Sequence, residues 1–149
     1  MNITRKSIIS SACGFVLAMG LVVILVVMTM PFVSNFSLGI QRSISLFIFM
    51  FSLLVVAPLV SRKLYRIDGT KKIIGWTFIG TGAEFLVFPL SLLFVVKSAS
   101  SLGGILLMAT LFTVSLIIGL LAGATSIAIG IMLIRSDNML RFAMRGEKE

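Results

Sequence analysis

Residues 73–96 read IIGWTFIGTGAEFLVFPLSLLFVV, an apolar run with a single charge-capable side chain, Glu84, near its middle. Lys71 and Lys72 precede the run, and Lys97 follows it. About 20 apolar residues in a helix span a hydrocarbon core of about 30 Å. This stretch therefore predicts a membrane-spanning helix that carries one carboxyl group at its centre.

Three further apolar runs lie at about residues 8–33, 44–60 and 102–134. As one helix, the last would extend about 50 Å, so we expect it to tilt, to project from the membrane or to begin after Gly103-Gly104. Of the 149 residues, 58% are hydrophobic and 12% are charged, and a soluble domain of this size could not bury so much apolar surface. We predict an all-α, integral membrane bundle of four transmembrane helices that forms a single domain over residues 1–149.

The basic residues predict the orientation of these helices. The chain has 13 Lys+Arg and 5 Asp+Glu, a formal net charge of +8. If both termini are cytoplasmic, only Arg42 and Lys97 lie outside, which satisfies the positive-inside rule. We expect a multi-pass protein of a prokaryotic cell membrane. Its bilayer partner should offer anionic headgroups to the basic residues between the second and third spans, namely Arg62, Lys63, Arg66, Lys71 and Lys72.

Glu84 is the leading candidate for a functional group. A carboxylate at the bilayer centre costs at least ~2.5–3.5 kcal/mol, and the predicted spans contain no Lys, Arg or His to offset that cost. We expect Glu84 to be protonated or paired with a group from another molecule. Thr77, Thr81 and Ser91 recur at spacings that place them on the same helix face, and this face would suit a proton or a cation. An alternative is structural, because a protonated Glu84 could donate an interhelical hydrogen bond to Ser or Thr.

Small residues predict close packing between helices. In the fourth span, Gly119 and Gly123 form one ridge, and a second ridge beside it consists of Ala122, Ser126 and Gly130. The first span repeats the pattern more weakly with Ser10, Gly14 and Ala18. We expect these ridges to pack helices within the bundle, or to mediate self-association or docking onto another membrane protein.

The short tail at 135–149 is basic and has the composition of a brief separate helix on the cytoplasmic side, with Ser136 or Asp137 as its N-cap.

Elsewhere the sequence contains few residues that could catalyse a reaction or bind a metal ion. Histidine is absent and Cys13 is the single cysteine, which excludes His-dependent triads, internal disulfides and most zinc sites. Walker, dinucleotide-binding and HExxH motifs are also missing from the sequence.

Two functional hypotheses follow. The first is an accessory or structural subunit of a larger membrane complex, with other membrane subunits or copies of itself as partners. The second is a small oligomeric transporter or channel that binds a proton or cation at Glu84. Under either hypothesis we expect no enzyme activity, no cofactor, no metal site and no nucleic-acid partner.

Overall fold

The structure, a computed structural model that describes residues 3–96 and 102–146, consists of four long helices over that part of the chain. Helix α1 spans Ile3–Val33, α2 spans Leu38–Tyr65, α3 spans Thr70–Val96 and α4 spans Leu102–Gly146. Each contains a stretch long and apolar enough to cross a membrane. The predicted all-α class with four apolar helices is confirmed.

Helix α2 contains a π-helical turn at Ser52–Val56, between α-helical segments at Leu38–Phe51 and Ala57–Tyr65. Pro58 lies two residues after this turn and explains it. Proline has no amide hydrogen, and its ring crowds the carbonyl group four residues earlier, here that of Leu54. A π-turn widens the helix at this point and accommodates the proline without ending the helix.

The connection between α2 and α3 is a short turn at residues 66–69. Gly69 has a φ of 106°, a left-handed conformation that glycine adopts without steric cost. The N-terminal part of α1 reaches this turn through Lys6, whose ammonium group lies 3.5 Å from Asp68 Oδ1 and 5.0 Å from the centre of the Tyr65 ring. The start of α1 and the α2–α3 turn therefore lie at the same end of the molecule.

Helix α4 continues without a break to Gly146, over 45 residues. Ser136 Oγ donates to the carbonyl oxygen of Leu133 at 3.0 Å, as a residue inside a helix does. The expectation of a separate tail helix capped by Ser136 or Asp137 is therefore wrong. The physical reason is that the segment between Gly130 and Gly146 contains neither glycine nor proline to interrupt the helix. The helix also begins before Gly103-Gly104, and its length of about 67 Å exceeds the hydrocarbon core.

The helices pack in the spatial order α2, α1, α3, α4. Helix α1 contacts both α2 and α3, whereas within the described residues α4 packs mainly along α3 and α2 mainly along α1. The four helices therefore form an open row, in which some adjacent helices are antiparallel and others are parallel. Among the described residues, the buried apolar side chains are Ala18, Val22, Ile24, Val33, Ala57, Leu64 and Ile73.

Candidate functional site

Glu84 on α3 lies directly against Gly20 on α1. A Cβ atom added at Gly20 would overlap Glu84 Oε2 and would lie 2.5 Å from the carboxyl carbon. The missing side chain of Gly20 therefore provides the space that the carboxyl group occupies. Sequence reasoning missed Gly20, although a glycine in a helix interior is itself a signal, because glycine disfavours the helix by about 1 kcal/mol relative to alanine.

The carboxyl group borders a half-open groove of about 310 Å³ between α1 and α3. Helix α1 contributes Val16, Gly20, Val23 and Ile24 to its lining, and α3 contributes Thr81, Glu84, Phe85 and Phe88. Glu84 and Thr81 are the polar side chains of this lining, and both are half-buried. The groove is thus an apolar surface with one acidic and one hydroxyl group. We call it the Glu84 groove.

Within residues 3–96 and 102–146, the Glu84 carboxyl group has neither a hydrogen-bond partner nor an ion-pair partner. Thr77 Oγ1 donates to the carbonyl oxygen of Ile73 at 2.9 Å, and Ser91 Oγ donates to that of Phe88 at 2.6 Å. Both side chains are buried and bonded to their own helix. Of the three hydroxyl residues predicted to accompany Glu84, the structure places Thr81 beside it in the groove.

Glycines from both of the packing ridges predicted in α4 lie against glycines of α3. A Cβ atom at Gly123 would lie 2.8 Å from the carbonyl oxygen of Gly82, and one at Gly130 would lie 2.5 Å from that of Gly75. These helices therefore approach backbone to backbone, which larger residues would prevent.

Two further residues of α4 extend the glycine-lined contact between α3 and α4, which we call the glycine seam. A Cβ atom at Gly119 would lie 2.5 Å from the carbonyl oxygen of Phe85. Ser126 Oγ donates to the carbonyl oxygen of Phe78 at 2.9 Å, a hydrogen bond that links the two helices directly. Ala122, the remaining residue of the predicted ridges in α4, is half-buried.

The seam between α1 and α2 is also built from small residues. Gly14 lies against Ser61 and Ala57, and Ser61 Oγ donates to the carbonyl oxygen of Ala57 at 2.7 Å. Ala18 is buried. Ser52, in the π-turn of α2, is fully buried, and its hydroxyl oxygen has no hydrogen-bond partner among the described residues.

The five basic residues predicted to contact headgroups flank the α2–α3 turn. Arg62, Lys63, Arg66 and Lys71 are exposed, and Lys72 is half-buried. The described part of the chain contains no group of three His, Cys, Asp or Glu side chains that could hold a metal ion.

Comparison with known proteins gives no match to a protein-family model, to a curated protein or to a solved structure.

Proposed function

We propose that the protein is an integral membrane protein with both termini in the cytoplasm, and that it is an accessory subunit of a larger membrane complex. Four helices of sufficient length and apolarity support the membrane placement. The orientation is supported by charge, since it leaves eleven of the 13 Lys+Arg residues on the cytoplasmic side.

The observation that carries the subunit role is the unpartnered carboxyl group of Glu84 in its groove. In the low-dielectric interior of a bilayer, a polar group without a hydrogen bond costs several kcal/mol. A donor from another chain would remove this cost. The proposed partner is therefore a transmembrane helix with a hydrogen-bond donor at the level of Glu84.

The shape of the Glu84 groove supports docking of such a helix. Gly20 leaves room for the carboxyl group against α1, and the groove is half-open at the surface between α1 and α3. Apart from Glu84 and Thr81, its lining is apolar, so apolar side chains of a partner helix could fill it. Thr77 and Ser91 are bonded to their own backbone and do not extend a polar path along α3. This favours docking over conduction by a single chain.

The test is affinity purification of the full chain from its native membranes in a mild detergent. We expect a stoichiometric partner with the wild-type chain. Glu84→Leu should lose that partner, and Glu84→Gln should retain at least part of it, because glutamine still forms hydrogen bonds. Leu121→Ala, on the exposed surface of α4, is the matched control and should retain it fully. A wild-type chain that purifies without a stoichiometric partner contradicts the proposal.

A second candidate function is proton or cation transport by an oligomer of this chain. The observation that favours it is that Glu84 and Thr81 place three side-chain oxygens on one apolar groove, which a second copy could complete. The test is flux in liposomes driven by a pH or cation gradient. Glu84→Gln should abolish the flux, and flux that survives this substitution contradicts the transport hypothesis.

A further inference from the structure

A second cleft, of about 240 Å³, lies between α1 and α2 near the α2–α3 turn. Its lining differs from that of the Glu84 groove, because each of its residues carries a hydroxyl or guanidinium group beside apolar atoms: Ser7, Ser10, Ser11, Ser61, Arg62 and Tyr65. We call it the serine–arginine cleft.

Several hydrogen-bond donors of this cleft are free. Ser10 Oγ donates to the carbonyl oxygen of Ser7 at 3.0 Å, and Ser61 Oγ donates to that of Ala57. In contrast, the hydroxyl groups of Ser7 and Ser11 and the guanidinium group of Arg62 have no hydrogen-bond or ion-pair partner among the described residues. The cleft therefore presents donors that a ligand with several acceptor oxygens could satisfy.

The charge around the cleft is positive. Its lining contains Arg62 and no carboxylate. The ammonium group of Lys6 lies 5.0 Å from the centre of the Tyr65 ring, at the edge of the cleft, but it pairs with Asp68 at 3.5 Å, so the positive charge of the cleft comes from Arg62. Asp68, which pairs with Lys6, is largely exposed and does not line the cleft. An anion is the ligand that this arrangement favours.

We propose that the serine–arginine cleft binds the phosphate group of an anionic phospholipid. The planar guanidinium group of Arg62 matches two phosphate oxygens, which a lysine ammonium group does not do. The hydroxyl groups of Ser7 and Ser11 can donate to the remaining oxygens. The site thereby recognises a phosphate group by geometry and favours an anionic headgroup by charge.

A lipid, and not a soluble anion, is favoured by the position of the cleft along α1. The apolar run of α1 begins at Ile8, immediately after Ser7, and Ile8 is 64% exposed. The cleft thus lies where the charged end of the helix meets its apolar surface, at the level at which a headgroup sits above its acyl chains. The inference rests on the proposed membrane placement, but it does not depend on docking of a partner at Glu84.

The experiment measures lipid binding to the purified full chain in detergent micelles by native mass spectrometry. Phosphatidylglycerol is the anionic probe, and phosphatidylcholine is the zwitterionic comparison. We expect the wild-type chain to bind phosphatidylglycerol at least about tenfold more tightly, because both lipids carry the phosphate group but the choline ammonium group of phosphatidylcholine is repelled by the guanidinium group of Arg62. Arg62→Ala should remove most of this preference. Arg62→Lys should keep the preference but bind phosphatidylglycerol more weakly, because the charge remains and the planar fork is lost.

Lys63→Ala is the matched control, because Lys63 is an exposed neighbour that carries the same charge and does not line the cleft. It should change the affinity for phosphatidylglycerol less than about twofold, because its ammonium group can attract the headgroup only through solvent and not within the cleft. The double variant Ser7→Ala with Ser11→Ala tests the hydroxyl groups without changing the charge, and it should also weaken binding.

Three results would overturn the proposal. Equal losses with Arg62→Ala and Lys63→Ala would show general surface attraction. Equal binding of both lipids would remove the headgroup preference. Displacement of bound phosphatidylglycerol by millimolar inorganic phosphate would assign the cleft to a soluble anion. Glu84→Leu should leave lipid binding unchanged, so failure of this inference is distinguishable from failure of the proposed subunit role.

Discussion

The carboxyl group of Glu84 on α3 occupies the volume that a side chain at position 20 of α1 would fill. This relationship determines how closely α1 and α3 approach and leaves the carboxyl group at the surface of a groove. The two residues should therefore be energetically coupled, and their coupling is open to direct measurement.

Gly20→Ala should destabilise the protein by about 1–3 kcal/mol, because the new methyl group overlaps Glu84 Oε2 and the helices or the carboxyl group must move. The measurement is thermal or denaturant-induced unfolding in detergent. In a Glu84→Ala background the same substitution should cost much less, since the overlapping atoms are gone. A double-mutant cycle with no coupling between positions 20 and 84 would contradict the observed contact.

Gly123→Ala should weaken the contact between α3 and α4. Its Cβ atom would lie 2.8 Å from the carbonyl oxygen of Gly82 and 2.9 Å from Leu86 Cγ, and a backbone oxygen cannot rotate away as a flexible side chain can. We expect a loss of roughly 1–3 kcal/mol in unfolding free energy.

The matched control for Gly123→Ala is Gly103→Ala on the same helix, where an added Cβ atom meets nothing within 4 Å. Gly103→Ala should be neutral or slightly stabilising, because alanine favours the helix. Equal effects of the two substitutions would show that the glycine seam does not limit the approach of α3 and α4.

Ser52→Ala should stabilise the protein by about 1 kcal/mol. The Ser52 hydroxyl is buried without a hydrogen-bond partner among the described residues, and removal of such a group relieves its desolvation cost. Ser61→Ala is the comparison on the same helix, since the Ser61 hydroxyl is bonded to the carbonyl oxygen of Ala57. Its substitution should be neutral or destabilising. If Ser52→Ala instead lowers the unfolding midpoint, then the hydroxyl makes a bond in the folded protein.

Lys6→Ala should lower the unfolding free energy by less than about 1 kcal/mol. The Lys6–Asp68 ion pair is 3.5 Å long and its carboxylate side is 84% exposed, and exposed pairs contribute little. The difference between wild type and Lys6→Ala should shrink further in 1 M NaCl, where the screening length is about 3 Å. A difference that is large and independent of salt would mean that the contact of Lys6 with the Tyr65 ring dominates.

The number and type of the helices were predictable from the sequence, but their exact bounds were not. The apolar runs mark the part of each helix that suits a membrane. However, α2 continues through Arg62 and Lys63, and α3 begins before Lys71. Helix formation also depends on backbone hydrogen bonding, and residues 131–145 contain no glycine or proline to interrupt it, so α4 continues past its apolar run to Gly146. The π-turn before Pro58 was likewise not predicted.

The candidate sites were predictable only in part. Glu84 stands out because it is the one Asp, Glu, Lys or Arg residue in an apolar run. Its position against Gly20, in a neighbouring helix, could not be derived from that observation. The serine–arginine cleft was also missed, because its residues come from two helices and are ordinary in isolation.

The sequence by itself determined four apolar helices, the distribution of basic residues along them and the single carboxyl group within the runs. These properties are local, since they depend on the length, charge and apolarity of one segment at a time. Only the tertiary structure decided that α1 lies between α2 and α3, that Gly82 meets Gly123 and that Glu84 rests on Gly20. The physical reason is that glycine ridges show where a helix permits close approach, whereas the partner that makes this approach depends on complementary shape between two surfaces in space.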